Sequence, residues 1–155
     1  ETDMMKRLIS ERRGVALVEF AFIVMILFML FLGITEFGVM MSRQLTLTQV
    51  AREGSRAASL GQPVEDIEQR MKDTAGALDA NAITSELRYS TDSGLTYPSV
   101  LADDGGGHNN APPGSLIRVR LNYPHHLVFG GFFAFLTNVH NNTITLGTDV
   151  IMRRE

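Results

Sequence analysis

Residues 15 to 34 read VALVEFAFIVMILFMLFLGI. As a helix rising about 1.5 Å per residue, this stretch is about 30 Å long, the thickness of a bilayer's hydrocarbon layer. From Phe20 to Leu32 there is no polar residue. A buried helix of a water-soluble protein of this length normally keeps a polar face. The segment therefore reads as a transmembrane helix, assigned to residues 15–35, between a basic leader (1–14) and one folded domain (36–155).

Lys6, Arg7, Arg12 and Arg13 crowd the N-terminal flank. Excess positive charge stays on the cytoplasmic side, so the C-terminal domain is expected beyond the membrane. Arg43, Arg52 and Arg56 weaken that contrast, but they lie farther from the apolar block. A removable secretory signal fits less well. The apolar run is too long, and GITEFGVMMSRQ after Leu32 offers no small-residue cleavage site. The sequence opens on Glu1 and not on Met, so a start upstream is expected.

About 110 of the 155 residues remain for the soluble domain, enough for one modest core. The formal net charge is −3. Up to Arg43 there are five basic and five acidic residues; from Gln44 onward there are nine basic and twelve acidic. The whole deficit thus lies in the C-terminal domain, which argues against nucleic acid as a partner. With no cysteine, a disulfide framework, a thiolate metal site and a lipoprotein anchor are excluded.

Glu19 lies inside the apolar block. A charge at the bilayer centre costs about 2.5–3.5 kcal/mol on insertion scales, and less near the end of a span. One reading is a tolerated carboxylate reaching the interface. The other begins at Arg12-Arg13-Gly14. A cut after Gly14 would give Val15 a free ammonium, and Glu19, four residues on, would share its helix face. Opposite charges about 4 Å apart attract by about 4 kcal/mol at an effective dielectric near 20.

Basic residues, Gly14, Glu19 and the aromatic Phe20 at the head of an apolar helix resemble the type IV pilin processing signal. The longer stretch RRGVALVEFAFIVMILFMLFLGITEFG (12–38), followed by LTLTQVAREGSRAASLG (45–61), resembles the TadE family of minor pseudopilins of the Tad (tight-adherence, Flp) pilus. RVRLNYPHHLVF (118–129) and ITLGTDVIMRRE (144–155) are similar to that family's closing strands. The likeness covers about the first 60 residues well and the last 40 loosely. Phe20 stands where major Flp pilins commonly have tyrosine, which fits a minor pseudopilin. The resemblance implies cleavage between Gly14 and Val15 by a prepilin peptidase, and docking guided by Glu19. It implies as partners the inner membrane, other Tad pilins and pseudopilins, and the pilus assembly platform, with no cofactor and no small-molecule substrate. It also implies a single-pass inner-membrane protein whose domain is periplasmic.

The fold class expected is α+β: a long N-terminal helix continuing out of the membrane, with a second helix packed on an antiparallel sheet of three to four strands. Leu47, Val50, Ala51, Gly54, Ala57 and Ala58 recur at three- and four-residue spacing, and packing on the domain's own sheet is favoured over a contact with another subunit. Gly61-Gln62-Pro63 breaks the helix. The second helix begins near Pro63, which suits a first helical position, carries Glu65, Asp66 and Glu68 early, and buries Val64, Ile67, Met71, Ala75 and Leu78. Three alternating runs read as strands: Ile83 to Tyr89, Ile117 to Tyr123 and Ile144 to Met152. Between the first two, Asp92 to Ser115, with DDGGGHNNAPPG, reads as irregular and mobile.

Catalytic and metal chemistry find no footing. His125 and His126 are adjacent and point to opposite faces of an extended chain. His108 sits in the glycine loop without convergent ligands. There is no phosphate-loop pattern and no G-x-S-x-G. LVFGGFFAFL (127–136) is too short to span a bilayer. It is either core or an apolar interface, with Phe132, Phe133 and Phe135 as the candidate contacts. Beside the assembly component, the alternative is a signal-anchored periplasmic sensor or ligand-binding domain. A tethered enzyme comes third, lacking any catalytic constellation. The intramembrane carboxylate separates these, because a plain anchor has no use for Glu19.

Overall fold

A computed structural model describes residues 2–130 and 142–155, with side chains from Gly14 onward. The elements in chain order are helix α1 (Thr2–Ser59), helix α2 (Val64–Thr74), a 3-10 turn (Ala80–Ala82), and strands β1 (Thr84–Ser90), β2 (Ser99–Val100), β3 (Leu116–His126) and β4 (Thr143–Arg153). The chain divides into two compact units, Glu1–Gly38 and Val39–Glu155, and α1 contributes to both.

In the first unit α1 is long and apolar enough to cross a membrane, and the chain buries none of its most apolar window. Phe20, Phe22, Leu27, Phe28 and Phe31 are all more than half exposed. Water would not tolerate such a helix; lipid or other helices must cover it.

The second unit is the α+β domain. Its sheet is antiparallel, in the order β2-β1-β3-β4. Ile117, Val119, Leu121 and Tyr123 of β3 point to the covered side and are buried, and Leu87 of β1 and Leu146 of β4 join them. From α1 come Leu47, Val50, Ala51, Ala57 and Ala58, and from α2 Ile67 and Met71. The small-residue stripe therefore packs within this domain, as the spacing predicts. Gly54 shows why the stripe is small. A Cβ there would come 2.6 Å from Met71 Sδ, so the Met71 side chain of α2 lies directly against the α1 backbone and would have to move aside for a larger residue.

Pro124 lies in β3 opposite Thr145, past Thr84, where β1 pairing ends. There, among the described residues, β3 has a strand on one side only, and a residue without an N–H is tolerated.

Two local expectations are corrected. Pro63 is the N-cap of α2, with extended backbone (φ −61°, ψ 155°), and not its first helical residue. Its fixed φ suits both positions, and the extended ψ decides it. The segment from Asp92 to Ser115 is not merely irregular. It contains β2, a bridge between Asp103 and Asn109, and the buried residues Leu101, Asn109 and Ala111.

This segment seals the end of α1. Gly61 takes a positive φ (+81°), and two bonds close the helix, from Gly61 N–H to Ala58 O and from Gln62 N–H to Ala57 O. That is a Schellman motif with glycine at its left-handed position. The Asn109 amide donates to Ala58 O (2.9 Å) and Gln62 O (3.0 Å). Arg154, just past β4, donates to Ser59 O (3.2 Å). The carbonyls at the helix end thus gain partners from far along the chain, beside the bonds of the motif itself.

Candidate functional site

Within the first unit the candidate site lies on α1 between Gly14 and Phe22. Helical geometry stacks residues four apart, and the side chains of Val15, Val18, Glu19 and Phe22 line one shallow groove with Gly14 at its end. All are exposed. Val15 and Glu19 therefore share a face, as their spacing predicts. Phe20 is 63% exposed but is not part of that groove. Val18 and Phe22 are residues the sequence reading missed. Their signal was available, since Phe22 follows Glu19 by three residues and Val18 follows Val15 by three.

Among the described residues no contact requires glycine at position 14. A Cβ added there meets nothing within 4 Å. In a helix interior glycine costs about 0.5–1 kcal/mol relative to alanine. At Gly54 the Met71 side chain packs against the glycine, whereas at Gly14 no described residue comes within 4 Å of an added Cβ.

In the second unit His125 is fully buried and His126 is exposed, on opposite sides of β3 as expected of neighbours on a strand. The Arg43 guanidinium of α1 lies 2.7 Å from His125 Nδ1. Arginine can only donate, so Nδ1 accepts and the ring proton sits on Nε2. The pair ties α1 to β3. His126 Nδ1 lies 2.9 Å from the Thr143 hydroxyl. Among the described residues no three His, Asp or Glu side chains gather as they would around a metal.

Two loop carboxylates are held anionic. Hydroxyls of Ser90 and Thr96, then the Thr96 backbone N–H, hold Asp92 far below the usual carboxylate range. Backbone N–H groups of Gly106 and His108 lower Asp104. Both carboxylates spend their lone pairs on their own turns and organise the loop.

Of the run 127–136, Leu127 and Phe129 are half-buried, Val128 is 60% exposed and Gly130 is buried. Phe132, Phe133 and Phe135 lie outside the described residues.

Residues 14–56 match the family model of TadE-like proteins. The match begins at Gly14, takes in the groove around Glu19, and ends within the part of α1 that enters the domain core. No curated protein and no solved structure matches the chain.

Proposed function

From a TadE-like segment at residues 14–56, we propose that this protein is a structural component of a Tad-type adhesion pilus, a minor pseudopilin and not an enzyme. The observation that carries the reading is the shared face of Val15 and Glu19 on an exposed apolar helix, next to a glycine that no contact among the described residues requires. A prepilin peptidase cuts between Gly14 and Val15. The new ammonium at Val15 then finds a carboxylate one helical turn away, on the same helix or on a neighbour's. In a low-dielectric bundle an unpaired carboxylate is costly and a paired one holds register.

The leader (1–14) is cytoplasmic in this reading, residues 15–35 cross the inner membrane, and residues 36–155 fold in the periplasm. The partners are the peptidase, other Tad pilins and pseudopilins, and the assembly platform. Phe20, Phe132, Phe133 and Phe135 are further candidate contacts. Mass spectrometry of the membrane-extracted protein from a host with the peptidase tests the reading. An N-terminus at Val15 supports it, and a chain still carrying residues 1–14 overturns it.

A further inference from the structure

The two edges of the sheet are treated differently. At one edge β2 is only two residues long and follows Pro98, so it offers little to a neighbouring strand. At the other edge β4 runs for eleven residues with neither proline nor lysine, and among the described residues it pairs only with β3. The backbone of Arg154 bonds to the two residues that lead into β3, through Arg154 N–H to Ser115 O and Gly114 N–H to Arg154 O. Backbone groups alternate in direction along a strand, so the odd-numbered residues turn theirs to the open side. Gly147 fits this: its carbonyl accepts from the Gln44 side chain (2.9 Å). Asp149, Ile151 and Arg153 follow on the same side. All three side chains are exposed, and Ile151 is 50% exposed.

We propose that β4 pairs antiparallel with β4 of a second copy about a two-fold axis through Ile151, joining two sheets into one. In this register Ile151 faces its own counterpart, and Asp149 of each copy faces Arg153 of the other. The outward N–H and C=O groups of Asp149, Ile151 and Arg153 then all find partners. Registers centred on Asp149 or on Arg153 place like charges opposite each other, which is unfavourable in a cross-strand pair. The sequence D-V-I-M-R (149–153) is thus self-complementary in charge about its central isoleucine, as a two-fold interface requires. Asp149 also bonds Arg120 of its own chain (3.0 Å), and a carboxylate has oxygen lone pairs enough to accept both arginines.

The chain has no cysteine, so an introduced one reports alone. The test uses the full chain in detergent micelles and again in lipid nanodiscs. Ile151→Cys places two thiols across the axis on Cα atoms about 5.5 Å apart, within disulfide reach. Mild oxidation should give a disulfide-linked dimer with Ile151→Cys and none with Thr145→Cys. Equal cross-linking at both sites, or none at residue 151, overturns the proposal. In the Ile151→Cys background, Asp149→Arg alone and Arg153→Asp alone should each lose the dimer. Mixed together with different tags, they should restore it as a heterodimer, since each then offers what the other lacks. Homodimers surviving in either single variant, or a mixture that fails while Ile151→Cys alone succeeds, would also overturn it.

Discussion

Three residues concentrate the consequences of single side chains. Glu19→Ala removes the cost of a carboxylate in lipid, so membrane insertion should be at least as efficient as in the parent. Cleavage after Gly14 should persist, while piliation is lost because the Val15 ammonium has no partner during docking. Immunoblots of the processed chain and counts of surface pili check both halves; wild-type piliation would reduce Glu19 to a tolerated interfacial residue. Gly61→Ala acts in the domain. The position combines φ +81° with the Arg154 guanidinium where a Cβ would sit, so strain and displacement add. A loss of about 1–2 kcal/mol or more is expected in urea unfolding of the detergent-solubilised chain. Gly14→Ala is the contrast: with open space around it, helix stability should not fall, and only processing should suffer. The shared face of Val15 and Glu19 was legible in the sequence because covalent spacing fixes it once the helix is given. The role of Asn109 was not. Nothing near it in the chain announces that its amide will meet Ala58 and Gln62, about fifty positions earlier.

Elements repeat that lesson at larger size. The strands and α2 are legible because burial imposes periods of two and 3.6 on their sequences, and Ile117, Val119, Leu121 and Tyr123 state the period without interruption. The segment between β1 and β3 has no period. Its order comes from turns that satisfy their own backbone and from isolated anchors such as Leu101. Its carboxylates make it sensitive to acid. Asp92 has its folded-state pKa lowered below 3.8 by the Ser90 and Thr96 hydroxyls. A lowered pKa contributes stability that is fully present above the unfolded value and is lost as pH falls through the folded one. The loop should therefore keep its protection at pH 5 and loosen well below pH 4. Hydrogen exchange at Gly94 and Thr96 should rise there, beyond the intrinsic pH trend. Asp92→Asn should show the raised exchange at every pH; identical profiles would detach the loop from this carboxylate.

For the whole molecule, the division at Gly38 has a direct test. Leu47, Val50, Ala51, Ala57 and Ala58 of α1 are core residues of the second unit. A fragment beginning at Val39 keeps them all and should unfold cooperatively on heating. A fragment beginning at Gly61 loses them and exposes Ile117, Val119 and Leu121, so it should show no cooperative melt in circular dichroism or calorimetry. Each large side chain of that core contributes about 1.5–3 kcal/mol by burial, a large part of the stability of a domain this size.

The sealing of α1 also sets an order of events during synthesis. The helix is made first, yet its last turn is finished by Asn109 and by Arg154, the latter 95 positions after Ser59. At about 5–20 residues per second, roughly 5–20 s separate emergence of the helix from emergence of its closing arginine. For the part of that interval before β3 emerges, the face carrying Leu47, Val50 and Ala51 is on the growing chain without Ile117, Val119 and Leu121 to cover it. The contacts that bury it are among the most distant in sequence, and such contacts form late. A protein built this way needs its nascent helix shielded until the central strand β3 arrives, and a chain stalled before β3 presents that bare face to proteases.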